Sequence, residues 1–330
     1  MNRTALVYTP IYLGHDTGRH AEQAGRLIAI LSHLDREGLL EGRRIFEPAP
    51  APFEAIAAVH NPALVERVLE AAEAGGRWLD ADTVVSPGSY EAAVYASGGA
   101  LVAVDAALGD DPGRVFVLSR PPGHHATPDR AMGFCLFNHI AVAARYALDG
   151  HGLDRVAIVD WDVHHGNGTQ DIFYDSGQVF YASAHQSPLY PGTGRREETG
   201  AGPGRGATLN VPLPPGADDA VYGRVFDEEI VPRVRAFAPQ LLFVSAGYDA
   251  HREDPLAMQL LTEDGFAQLT RRMAALANEC CAGRMVLVLE GGYQPQALAR
   301  SVAATLRALD GGEAGRAGGQ AGRRAEGDQP

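Results

Sequence analysis

Six short apolar runs, at residues 4–9, 114–119, 156–161, 179–184, 240–247 and 284–291, punctuate this chain of 330 residues. They are continuous rather than alternating, which is how strands read when both faces of their sheet are covered. Between them lie longer stretches with a helical spacing of apolar positions, among them 89–108, 139–148, 218–237, 262–281 and 294–309. Strands alternating with helices predict an α/β fold, a parallel sheet with helices on both faces. The length gives ample core for one large domain or two, and no internal repeat or linker splits the chain. Residues 311–330 carry Gly, Arg, Glu and Gln with no apolar residue beyond alanine, so disorder is expected there.

In open parallel sheets, ligands bind beyond the carboxyl ends of the strands. Five of the runs deliver chemistry to that edge. Arg120-Pro121-Pro122-Gly123-His124-His125 follows the second run. Within the third, Val156–Val159 leads into Asp160-Trp161-Asp162-Val163-His164-His165-Gly166-Asn167-Gly168. His185 follows the fourth, Gly247-Tyr248-Asp249-Ala250-His251 comes after Leu241–Ala246 of the fifth, and Glu290-Gly291-Gly292-Tyr293 after Met285–Leu289 of the sixth. Residues two apart in an extended chain point to the same side, so Asp160, Asp162 and His164 can converge on one point. Each group alone has an ordinary explanation, as a solvated acid, a helix cap or a turn residue. Their arrival together at one sheet edge favours a site.

Carboxylate and imidazole ligands suit a divalent cation such as zinc, and zinc hydrolases use three protein ligands with one position left open. Asp162, His164 and Asp249 meet that requirement. The vicinal His124 and His125 supply a general base that could take a proton from water and return it to a leaving amine. Tyr293, on a glycine hinge, could donate its hydroxyl to a developing oxyanion.

Composition narrows the partners. A formal net charge of −13 argues against nucleic acid. The apolar runs are too short to cross a bilayer and the N-terminal one too short for a signal peptide, so no membrane partner and a cytoplasmic location are expected. Three cysteines, Cys135, Cys280 and Cys281, form no disulfide framework. The vicinal pair is expected to serve packing. All 28 basic residues are arginine, so the chain offers no lysine of its own for acetylation. A homo-oligomer is compatible with these features.

Several motifs, in order along residues 1–310, resemble the histone deacetylase family of zinc amidohydrolases, in the flavour of its class II-like bacterial members. They are Arg120–Ala126, Gly133–Asn138, Asp160–Gly168, Tyr190–Gly194, Ser245–His251 with Asp254–Leu256, and Glu290–Tyr293. The resemblance implies the three-layer arginase–deacetylase fold, with a central, mainly parallel, eight-stranded sheet, in one catalytic domain over residues 1–310. It implies hydrolysis of the acetamide of acetyl-lysine in a protein or peptide, with one Zn²⁺ on Asp162, His164 and Asp249. His124 would be held by Asp160 and His125 by Asn167. A neutral Asn orients an imidazole without favouring its charged form, so His125 is the implied general base and acid, with His124 in electrostatic support. Tyr293 would be the oxyanion donor. Phe134 and Tyr190 would form the aromatic walls of an acyl-lysine tunnel with Leu256 at its rim, and Gly133, Gly292 and Pro122 would shape it. A structural K⁺ is implied for the side chains of Asp160 and Ser183 with backbone oxygens of Asp162, His164 and Ala184.

Two segments depart from the family. Its His-Pro-Glu-Arg-Pro-type stretch is altered here to His20-Ala-Glu-Gln-Ala-Gly-Arg26, which blurs the N-terminal contribution to the site. The substrate-backbone anchor is assigned to Asp82 in preference to Ser86. The main alternative substrate is an acetylpolyamine or another small acylated amine, which would call for acids at the mouth; Glu197 and Glu198 are candidates. A binuclear manganese ureohydrolase would need further carboxylates where this chain has Gly166 and His251. A non-catalytic acyl-lysine binder is disfavoured because every catalytic group is present.

Overall fold

A computed structural model of the chain describes residues 3–109 and 113–311. The expected tail therefore lies, but for Gly311, outside the described residues. Among the described residues ten strands form: β1 Ala5–Val7, β2 Ile45–Phe46, β3 Arg77–Trp78, β4 Val84–Val85, β5 Arg114–Val117, β6 Val156–Asp160, β7 Val179–Gln186, β8 Thr208–Leu213, β9 Leu241–Ala246 and β10 Met285–Leu289. Eight of them make one sheet in the order β2-β1-β5-β10-β9-β6-β7-β8, every pairing parallel. β3 and β4 form a separate antiparallel ribbon. This is the α/β architecture expected from the sequence, with its eight strands.

The six apolar runs are the six inner strands, and the two others lie at the sheet's edges. β6, β9 and β10 are buried along their whole length, as strands covered on both faces must be. Helices pack on each face over two apolar clusters, one around Phe116, Trp161, Tyr248 and Phe266, the other around Val115, Phe137, Ile158 and Phe243. The predicted helices at 89–108, 139–148, 262–281 and 294–309 appear as Ser89–Leu108, His139–Asp149, Glu263–Cys280 and Pro295–Leu309. The stretch 218–237 is interrupted. Helices Asp219–Val225 and Val231–Phe237 flank a π-helical turn, Phe226–Ile230, just before Pro232. Proline cannot donate to the preceding turn, which accounts for the local widening. Ser89–Leu108 is long and apolar enough by composition to cross a membrane, a point the apolar runs do not reveal, yet 61% of its apolar window is buried inside the fold. Cys281 is likewise buried, its thiol directed at the Pro239 carbonyl.

The strand order matters for function. β5, β10, β9, β6 and β7 are consecutive in the sheet, and these are the five strands whose carboxyl ends carry the groups singled out above.

Candidate active site

Beyond β6 the chain stays extended and then turns into the helix Asn167–Phe173. Asp162 and His164 project from this exit, and Asp249 from the loop after β9. One ligand atom from each lies within 4.8 Å of the others, and all three residues are buried. His164 Nδ1 faces Asp162 Oδ1 at 3.2 Å and Asp249 Oδ2 at 3.1 Å. Burial opposes charge on His164, but the two carboxylates outweigh it and hold the imidazole up at about 10. The trio thus favours a cation between its members. The backbone makes room for it: a Cβ at Gly247 would lie 2.1 Å from Asp162 Oδ2, and one at Gly291 2.1 Å from Asp249 Oδ2. Two carboxylates and an imidazole in a glycine-walled cradle fit a zinc ion. Secondary bonds aim the ligands, as metal sites require: Val163 N–H donates to Asp249 Oδ1 at 2.8 Å and Gly291 N–H to Asp162 Oδ2 at 2.8 Å.

The two histidines sit on the loop after β5. His124 Nδ1 meets Asp160 Oδ2 at 3.0 Å, and His125 Nδ1 meets Asn167 Oδ1 at 2.8 Å. Asn167 turns its amide nitrogen to the His125 carbonyl at 3.4 Å, so its oxygen accepts and His125 carries its proton on Nδ1. The Nε2 lone pair is left for chemistry. Burial, then the neighbouring His124 and His164, keep His125 well below the usual histidine range. His124 goes the other way: burial is outweighed by Asp162 and Asp160, and it is held well above that range. A neutral imidazole beside a charged one is the division of labour a base and its electrostatic partner need.

A channel of about 210 Å³ opens onto this group, lined by Asp82, His125, Gly133, Phe134, His164, Leu189, Tyr190, Leu256 and Tyr293. His125 stacks edge-on against Tyr190 at 5.1 Å and Phe134 against Tyr293 at 5.5 Å. Gly133 has φ +55°, and a Cβ there would lie 2.5 Å from the His125 ring and 2.9 Å from Tyr190. Its neighbour Phe134 has φ +68° without being glycine. The Thr83 hydroxyl, accepting the Phe134 N–H at 3.1 Å, helps hold that left-handed backbone. Gly292 supports the wall from behind through its carbonyl, and Pro122 is buried off the lining. Ser86 hydroxyl is occupied by Asp16 N–H and Ser89. Glu198 turns inward to Gln170 at 2.8 Å and to Gly194 N–H at 3.3 Å, and Glu197 is exposed and off the lining. Asp82 is the one carboxylate among the lining residues.

Asp160 and Ser183 are paired neighbours on β6 and β7, with Ala184 next along. Asp160 Oδ2 also accepts Tyr181 hydroxyl at 3.1 Å, and Ser183 Oγ lies 2.9 Å from His185 Nδ1.

Sequence reasoning missed a buried charge network behind the channel. Glu22, Arg26 and Arg120 are fully buried. Arg120 grips Glu22 in a two-pronged contact at 2.6 and 2.7 Å, and Arg26 reaches the same carboxylate at 3.1 Å. Arg26 also donates to the Gly292 carbonyl at 2.6 Å, and its guanidinium lies 5.0 Å from the Tyr293 ring centroid. The altered segment 20–26 thus reaches the site through Glu22 and Arg26, and through His20, edge-on to Phe134 at 4.6 Å. Only the motif itself signalled this. A second missed network ties the loop of Tyr190 to the helix Asn167–Phe173: His165 bonds Thr193 at 2.8 Å and Gln170 at 3.1 Å.

Residues 20–309 match the model of the histone deacetylase domain. The chain is 44% identical over 293 residues to a probable deacetylase of Archaeoglobus fulgidus, covering 88% of this chain and 81% of that one. It is 42% identical over 275 residues to the histone deacetylase-like amidohydrolase of Pseudomonas aeruginosa, covering 83% and 72%. The crystal structure of the HDA15 HD domain superposes with a TM-score of 0.88 at 35% identity, over 94% of this chain and 89% of that one.

Proposed function

As the chain belongs to the histone deacetylase family and is thereby a hydrolase acting on amides, we propose that it removes the acetyl group from N-ε-acetyl-lysine in peptides or proteins. A single catalytic domain over residues 1–310 does the work. The observation that carries this reading is the channel: a narrow aromatic passage leading to His125, His164 and Tyr293 together. A four-carbon stem gains from burial against Phe134 and Tyr190, and the acetamide beyond it meets polar groups that offset its desolvation.

Zn²⁺ held by Asp162, His164 and Asp249 would polarise the acetamide carbonyl and acidify the attacking water. His125 Nε2 takes the proton of that water and returns it to the amine as the C–N bond breaks. His124, charged and bound to Asp160, stabilises the negative charge that develops. Tyr293 donates its hydroxyl to the oxyanion. Burial pushes the Tyr293 phenol well above its ordinary range, so it stays a donor throughout the working pH. Asp82 anchors the substrate backbone and Leu256 meets its flank. A K⁺ on Asp160, Ser183 and the backbone oxygens of Asp162, His164 and Ala184 would stiffen the β6–β7 exit. One metal suffices: a Cβ at Gly166 would lie 2.4 Å from Asp160 Oδ2, so no carboxylate fits there, and His251 Nδ1 accepts the Glu253 N–H instead. The free thiols fit a reducing compartment such as the cytoplasm.

The inward turn of Glu198 favours acetyl-lysine over acetylpolyamine, because the mouth lacks the ring of acids a polycation would need. Acetate release from an ε-acetyl-lysine peptide and from acetylputrescine, compared at equal concentration, tests this. The peptide is expected to be turned over at least tenfold faster by kcat/KM; preference for acetylputrescine would reverse the assignment.

The state of His125 sets the pH response. A base must be neutral to accept a proton, and a lowered pKa keeps it neutral in mild acid, so the acid limb of kcat/KM is expected below pH 6.5. Asn167→Asp places a negative charge 2.8 Å from Nδ1, favours the charged imidazole, and should move that limb upward by about one unit or more. A pH–rate profile of both proteins decides it; an unmoved limb would remove His125 from the role of base.

A further inference from the structure

Glu290 is a buried carboxyl beside the site that the mechanism above leaves unused. It is fully buried at the end of β10, three residues before Tyr293. Its Oε2 accepts the N–H of Gly123 at 2.7 Å and of His124 at 3.1 Å, and its Oε1 the hydroxyl of Ser245 at 3.4 Å. Its own carbonyl takes Arg26 at 2.5 Å, and its N–H donates to the Ala246 carbonyl at 3.1 Å. One residue therefore ties together the histidine loop, the end of β9, the end of β10 and the helix Gly25–Arg36. His125 and Tyr293 approach the acetamide from those separate segments, and their separation is set by whatever joins the two loops.

We propose that Glu290 is a positioning residue whose carboxyl group, by its reach rather than its charge, clamps the loop of His124 and His125 to the strand end that carries Tyr293. This rests on the deacetylase reading above. The clamp spans two buried backbone N–H groups that have no strand or helix partner, and such donors must be satisfied. Charge is a poor explanation of the same contacts. His124 attracts the carboxylate as a cation, while Asp160 and Asp162 repel it. Burial, only partly offset by His124 and the Gly123 N–H, pushes Glu290 up to about 7, so a neutral form is populated at ordinary pH. That form keeps both N–H bonds on Oε2 and directs its proton from Oε1 to Ser245. Misplacing a catalytic group by about 1 Å costs on the order of a hundredfold in rate, so a loosened clamp should appear in kcat before KM.

Two conservative variants separate reach from charge. Glu290→Gln keeps the length and an acceptor oxygen for both N–H groups, its amide nitrogen meeting Ser245; Glu290→Asp keeps the charge but withdraws the acceptor by one methylene. Steady-state kinetics on an acetyl-lysine peptide, with zinc content checked, are expected to show kcat within about threefold of wild type for Gln. For Asp, kcat should fall about tenfold or more with KM changed less than threefold. Hydrogen–deuterium exchange of the segment 118–126 should quicken in Asp and not in Gln. The exchange needs no substrate, so failure of the deacetylase reading would show in the wild-type assay and leave this test standing. Wild-type kinetics and exchange in Asp, or Gln as impaired as Asp, would overturn the proposal.

Discussion

Tyr293→Phe is expected to lower kcat for acetyl-lysine hydrolysis by about a hundred- to a thousandfold, the usual cost of removing one oxyanion donor, about 2.7–4 kcal/mol. The prediction is sharp because the substitution removes so little else. The ring keeps its edge-on contact with Phe134 at 5.5 Å and its place 5.0 Å from the Arg26 guanidinium. The backbone N–H still donates to Asp254 Oδ2 at 2.6 Å. Thermal stability and zinc content should therefore match wild type, and KM should change by less than threefold, since the missing bond strengthens only as the oxyanion forms. A variant within fivefold of the wild-type kcat would take Tyr293 out of the mechanism and leave the oxyanion to the metal and His124.

Removing the metal should have the second large effect, on activity and on stability together. Asp162 and Asp249 are buried carboxylates whose oxygens face the same imidazole at 3.2 and 3.1 Å. Burial and the nearness of Asp162 both raise Asp249, the signature of like charges forced together. A cation relieves that repulsion in the folded state only. At free zinc about a thousand times its Kd, binding contributes about 4 kcal/mol, which in a chain of this size is on the order of 5–10 °C in Tm. Treatment with a strong chelator followed by gel filtration should abolish acetate release and lower Tm by that amount, and stoichiometric Zn²⁺ should restore both. An unchanged Tm alongside lost activity would mean that the cradle tolerates its two carboxylates without a cation, against the repulsion argued here.

What could be read in advance divides along physical lines. The inner strands were legible because burial on both faces leaves an unbroken apolar run, as in Val156-Ala-Ile-Val159. β2 is only two residues long, and β8, although buried over most of its length, has Thr208, Asn210 and Pro212 within it, so neither reads as an unbroken apolar run. The candidate metal trio, the histidine pair and Tyr293 could be singled out because each leaves a recognisable strand end, and the structure gathers them around one channel. The order of the strands, which makes those ends neighbours, was not, since nothing local encodes which strand pairs with which. Arg26 and Arg120 were opaque for another reason. Arginine is normally exposed, and their burial depends on Glu22, which is 98 residues from Arg120 along the chain. Glu290 was visible within its motif, but nothing in the motif shows that its carboxyl reaches the backbone of a distant loop.

The place of β10 in the sheet bears on how the enzyme comes into being on the ribosome. β10 lies between β5 and β9, yet it is synthesised after every other strand. Without it the sheet divides into β2-β1-β5 and β9-β6-β7-β8, each with an apolar inner edge unpaired. Such edges are templates for mispairing between nascent molecules. The same docking event seals the sheet, brings Glu290 to the histidine loop and delivers Tyr293. A chain that stops short of β10 therefore lacks both Glu290 and Tyr293 and leaves two sheet edges unpaired, and the docking of one strand ends both conditions at once.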